Sequence, residues 1–145
     1  MSTERFELQT WECLSLLRTQ HIGRLCIIDH GFPLALPVNF RVVGTEGESQ
    51  VVVRTAPSTL LGRYDGPASF EVDHIDEVAR EAWSVILRGQ LRKVSGAHGL
   101  PDPEPWLGSD RHQWLRLDAT AITGRRFIGR PSDDGYAVEW ELQRL

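Results

Sequence analysis

Three short stretches carry residue types that could do chemistry. In Arg54-Thr55-Ala56-Pro57-Ser58-Thr59, one guanidinium and three hydroxyls sit where a strand pattern gives way to a short helix pattern. Free N–H groups at a helix start favour an anion, and arginine grips phosphate with a two-pronged fork. The same residues also suit a plain Ser/Thr cap beside a surface arginine. In Pro37-Val38-Asn39-Phe40 an asparagine stands inside a strand pattern, where its amide competes for backbone hydrogen bonds. Either a ligand needs that amide, or it makes a structural bond beside the irregularity at Pro37. In Trp83-Ser84-Val85, followed by Arg88-Gly89, an indole and a hydroxyl are placed to stack on and bond a planar heteroaromatic. The alternative is a core Trp83 with Arg88 turned outward.

Other chemistry finds little support. His21, His30, His74, His98 and His112 show no paired ligand spacing, so no metal site is expected. Asp73, His74 and Asp76 read as a solvated strand end. There is no nucleophile elbow, phosphate-cradling glycine loop or dinucleotide glycine motif. Cys13 and Cys26 are too few for a disulfide framework and read as small apolar residues. The net charge of −4 argues against a nucleic-acid partner, which would need a concentrated basic face. The basic residues cluster only at Arg125, Arg126 and Arg130. No apolar run approaches a membrane span, and no signal peptide is expected. A cytoplasmic protein is expected.

The elements that must position these stretches are mainly strands. Thr10 to Thr19 predicts an amphipathic helix capped by Thr10, with Trp11, Leu14 and Leu17 facing a core. Strands are predicted at Arg24–Asp29, Leu34–Val43, Val51–Thr55, Ala68–Ile75, Glu81–Val94 and Trp114–Thr123, with Phe127–Gly129 as a possible extension. Pro37 implies an edge or a bulge, and Gly89 a bulge. On the sixth strand Leu115, Leu117, Ala119 and Ala121 are expected to share one face. A short helix is predicted over Ser58–Tyr64. Gly96 to His112 is long for a loop, and such loops tend to be functional or mobile. The tail from Pro131 is polar until a possible last strand at Tyr136–Leu142. The expected fold is mostly β (α+β), a single domain over residues 1–145. It is a six-stranded antiparallel split β-barrel with a short N-terminal helix, one or two further short helices, and a loosely attached tail from about 131.

In order, Ile22-Gly23-Arg24-Leu25, Leu36-Pro37-Val38-Asn39-Phe40, Val53-Arg54-Thr55-Ala56, Phe70-Glu71-Val72-Asp73 and Ala82-Trp83-Ser84-Val85 through Arg88-Gly89 resemble the pyridoxamine 5'-phosphate oxidase-like family. The resemblance is to its flavin-binding split-barrel branch, which includes nitroimidazole-resistance-type proteins. It covers Trp11 to Val94 best. It implies a homodimer with two flavin mononucleotides (FMN) at the subunit interface and an oxidoreductase acting on a small molecule. By that comparison the cofactor-binding residues are Pro37, Val38, Asn39, Arg54, Thr55, Ala56, Ser58, Thr59, Trp83, Ser84 and Arg88. The Trp106 loop and the arginines near Arg125 would come from the other part of the interface. One departure stands out: relatives carry a Gly-Thr-Lys-Leu-like run where this chain has Ser58-Thr59-Leu60-Leu61, so Leu60 replaces a phosphate-binding lysine. Deazaflavin is the alternative cofactor, and a non-catalytic flavin or haem carrier or sensor the alternative role.

Overall fold

Alternation along the strands decides which residues enter the core, and the computed structural model describes residues 3–96, 99–106, 108 and 110–129. The strands are β1 (Thr3–Glu7), β2 (Ile22–Asp29), β3 (Phe32–Asn39), β4 (Arg41–Thr45), β5 (Glu48–Thr55), β6 (Gly66–Asp76), β7 (Glu81–Val94) and β8 (Gln113–Gly129). They form one antiparallel sheet in the order β3-β2-β6-β7-β8-β5-β4, with β1 added on β8. The path does not close, leaving a seam between β3 and the β4–β5 hairpin.

The fold is mostly β, as expected, with eight strands among the described residues where six were expected. The expected strand Leu34–Val43 is two strands, because Phe40 turns its ring into the core and the chain moves from β2 to β5. Phe40 is fully buried and packs edge-on against Phe70 at 4.8 Å. The further strand, β1, has no alternating signature; its one large apolar residue, Phe6, is half exposed. β3 pairs only with β2, so the missing N–H groups of Pro33 and Pro37 fall on an edge.

Inward-facing Leu25, Ile27, Phe70, Val72, Val85, Leu87, Leu91, Leu115 and Leu117 fill the core with Val51 and Val53. Between β7 and β8 the register shifts at Arg88/Gly89: Arg88 faces Ala121 while Gly89 faces Ala119. The extra residue, Thr120, lies in β8. It swaps the faces of everything after it, so Ile122 packs on the core while Ala121 looks outward. This corrects the expectation that Ala119 and Ala121 share a face.

Helix α1 (Thr10–Leu17) buries Cys13, Leu14 and Leu17. Gln9, not Thr10, is its N-cap, and the Gln9 N–H donates to Glu12 Oε1 at 3.1 Å. Trp11, expected in the core, is exposed. Helix α2 is one turn, Leu60–Arg63, capped by Thr59. Among the described residues no helix is long and apolar enough to cross a membrane. The expected strand at Tyr136–Leu142, Arg130 and His98 lie outside the described residues.

Candidate functional site

The seam gathers the polar groups that the sequence singles out. β3 ends on Asn39 and β5 ends on Arg54-Thr55, and the segment 99–106 runs across both ends. Asn39 Oδ1 accepts the Trp106 N–H at 3.1 Å, while its Nδ2 donates to the His21 carbonyl at 3.5 Å. Arg54 donates from Nη1 to both carboxylate oxygens of Asp102, at 2.8 and 2.9 Å, and from Nε to the Arg111 carbonyl at 3.0 Å. Its guanidinium carbon sits 5.2 Å from the centre of the Trp114 ring. Arg41 completes the group: its Nη1 lies 3.0 Å from His21 Nδ1, and its Nη2 lies 3.6 Å from Glu104 Oε2.

Asp102 is held below the usual carboxylate range, first by the Glu104 N–H that it accepts and then by Arg54. Pro103, next to it, is buried and anchors the segment. Trp106 thus bonds Asn39 of its own chain.

The hydroxyls behind Arg54 are used within the turn. Thr59 Oγ1 donates to the Ala56 carbonyl at 2.7 Å and accepts the Gly62 N–H at 3.1 Å. Its hydrogen is therefore committed, and the 2.6 Å contact with Thr55 Oγ1 must be donated by Thr55. The pair locks the turn Ala56-Pro57-Ser58, with Ala56 and Thr55 buried and Ser58 exposed. Leu60 packs against the core, and Arg63 is exposed in the last turn of α2.

The third stretch is elsewhere on the sheet. Trp83 is buried in the core cluster, whereas Ser84 faces out from β7 between Asp73 and Arg125. Arg88 also faces out, on a groove of about 550 Å³ that includes Cys26, Pro33, Pro67, Ser69 and Ala121. β2 and β6 separate β7 from β3, and β8 separates it from β5. The segment 99–106 therefore links Asn39, at the end of the Pro37-Val38-Asn39 stretch, with Arg54, at the start of the stretch that holds Thr55, Ala56, Ser58 and Thr59, and Trp83, Ser84 and Arg88 lie apart on β7. Val38 turns inward onto the core, and Pro37 is exposed.

Sequence reasoning missed Arg41, His21, Asp102 and Glu104. A charged residue in a Pro-rich loop gives no signal of which strand end it reaches. On the outer face, Arg24 Nη1 bridges Glu71 at 3.0 Å and Asp73 at 2.8 Å. Burial pushes the Glu71 carboxyl up to about 7, and Asp73 adds to this while Arg24 opposes it.

The pyridoxamine 5'-phosphate oxidase family model matches residues 9–126, well over half of the chain. The chain belongs to this family. The match extends past the motifs read from the sequence, through the segment over the seam and most of β8. Among solved structures, the FAD binding protein from Mycobacterium smegmatis is 31% identical, with 86% of this chain and 99% of that one covered at a TM-score of 0.68. A protein from Corynebacterium glutamicum, assigned as a pyridoxamine 5'-phosphate oxidase, is 26% identical, covering 90% and 99% at 0.70. A protein from Bacteroides thetaiotaomicron assigned to 5-nitroimidazole antibiotic resistance shares the fold at 12% identity, covering 88% and 90% at 0.62. No curated protein matches the sequence.

Proposed function

We propose that this member of the family binds a flavin, FMN in the first instance, and serves as a flavin-dependent oxidoreductase for a small molecule. The observation that carries the reading is the seam. A guanidinium at the end of β5, pinned by the Arg111 carbonyl and Trp114, and a side-chain amide at the end of β3 are both held by the one segment 99–106. Arg54 suits a phosphate ester. Asn39, with one donor pair and one acceptor, suits the polar edge of a flavin ring. The Thr55–Thr59 pair keeps the intervening turn in shape rather than reaching for the ligand.

Bound flavin would supply the hydride chemistry, leaving the protein to position it and tune its surroundings. FAD is the closest competitor, because the 31% identical neighbour is described as an FAD binding protein. At the position where the resemblance implies a lysine, this chain has Leu60, which packs on the core, and the second guanidinium at the seam is that of Arg41.

Ser84 and Arg88 lie on β7, away from the seam of their own chain. For these residues to meet the same flavin, a second copy must bring its β7 face to the seam. A homodimer is therefore part of the proposal.

The test is absorption spectroscopy of the purified protein titrated with FMN and with FAD, combined with sedimentation analysis. Micromolar or tighter FMN binding by a dimer supports the reading, and bleaching by a nicotinamide donor extends it to an oxidoreductase. Colour without reduction makes the protein a carrier. No flavin binding up to millimolar concentration removes the proposal.

A further inference from the structure

Arg54, Arg41 and Asn39 at the seam are each engaged by the segment 99–106 of the same chain. Arg54 meets the Asp102 carboxylate, Arg41 meets Glu104, and Asn39 Oδ1 accepts the Trp106 N–H. Two carboxylates and a backbone donor thus face two guanidinium groups and an amide acceptor. An anionic ligand with ring N–H groups would need the same partners.

We propose that this segment is a resident stand-in for the ligand, and that Asp102 sets affinity by competing with the ligand's anionic end for Arg54. The proposal rests on the reading that Arg54 receives the phosphate of the flavin.

The two partners of the ion pair are unequal. The side chain of Arg54 is 22% exposed and that of Asp102 50% exposed. Arg54 is also fixed by its Nε bond to the Arg111 carbonyl and by the Trp114 ring. Asp102 returns to water at little desolvation cost, whereas Arg54 stays where it is, still presenting Nη1. Exchange of one carboxylate for a phosphate therefore moves the segment and leaves the strand end in place. Exposed ion pairs are weak in net terms, so the stand-in delays and weakens binding without forbidding it. The contact from Asp102 Oδ1 to the Glu104 N–H couples its departure to the rest of the segment. The Trp106 N–H is freed from Asn39 in the same movement.

Full-length wild type, Asp102→Asn and Arg54→Ala proteins are titrated with FMN by fluorescence quenching. Asparagine keeps Oδ1 for the Glu104 N–H but loses the charge, so the local turn persists. Asp102→Asn is expected to tighten FMN binding about three- to tenfold, and Arg54→Ala to weaken it at least about tenfold. In wild type, FMN is expected to accelerate hydrogen exchange at the Glu104 and Trp106 amides, a readout independent of turnover. Equal or weaker binding by Asp102→Asn, with Arg54→Ala still impaired, overturns the stand-in but leaves the flavin reading intact. Asp102 would then orient Arg54. Unchanged binding by Arg54→Ala removes the phosphate role of Arg54 and the stand-in with it. Greater protection of the two amides on adding FMN also overturns the proposal, since the segment would then close over the ligand.

Discussion

Gly89 on β7 lies so close to the backbone of Asp118 on β8 that a Cβ at position 89 would fall inside the Asp118 carbonyl oxygen. The close approach sits beside the register shift that places Thr120 as the extra residue in β8. Gly89 is therefore required by contact between two backbones.

Gly89→Ala should force the β7–β8 ladder apart at its bulge. The expected cost is about 1–3 kcal/mol, read as a fall in the thermal unfolding midpoint. Wild-type stability in the variant would mean that the strands part more easily than their long pairing implies.

Thr59→Ala removes the acceptor of the Gly62 N–H and the partner of Thr55. A loss of about 1 kcal/mol is expected from the cap alone, measured by urea unfolding. Thr59→Ser keeps the hydroxyl and should recover most of it. No recovery with serine would assign the effect to packing of the methyl group.

Glu71 gives the protein a defined pH dependence. Its carboxyl is raised from 4.5 to about 7 in the fold, so the folded state binds that proton more tightly than the unfolded chain. Between those values the unfolded state has lost the proton and the folded state has not. Stability therefore falls as pH rises through this window. Glu71→Gln should stabilise the protein at pH 8 by on the order of 1–3 kcal/mol and flatten the slope between pH 5 and 8. Asp73 and Arg24 face the same carboxyl, so the contrast between variant and wild type isolates it. Parallel pH profiles for the two proteins would contradict the assignment.

Cys13 is fully buried, with its thiol pushed up to about 11 by burial and by Glu12. Cys26 is half-buried on the groove, its thiol also raised, first by burial. Alkylation of the native protein at pH 8 should therefore mark Cys26 first and reach Cys13 only through unfolding. The rates should differ by at least about a hundredfold. Peptide mass mapping over time distinguishes the two, and comparable rates would show that α1 opens readily.

Much of the fold was legible as local pattern. β7 carries a strict alternation of Trp83, Val85 and Leu87 inward, and its limits match the sequence reading because nothing interrupts that period. Gly89 marked the irregularity, but not that the extra residue is Thr120 on the opposite strand. A bulge is a property of a pair of strands, and one strand's sequence cannot say which partner carries the surplus. β1 was invisible because Thr3–Glu7 offers no repeating apolar face; only the edge of β8 makes it a strand. Trp11 misled for the opposite reason. Helical spacing places it near the apolar stripe, but the stripe that meets β8 is Cys13, Leu14 and Leu17.

For the site, the sequence alone determined the chemical parts: an arginine and hydroxyls at the end of one strand, an amide near a proline in another, and the motif order of the family. Those features depend on residue type and spacing over a few positions, where backbone geometry is nearly fixed. Tertiary structure decided which of them meet. The course of the open sheet around the core brings β3 and β5 into contact at the seam while holding β7 three steps along the ladder from β3. It also delivered Asp102 and Glu104 to Arg54 and Arg41. Contacts across such sequence separations depend on how strands pair and where a loop crosses them, and no local preference of the residues involved encodes that.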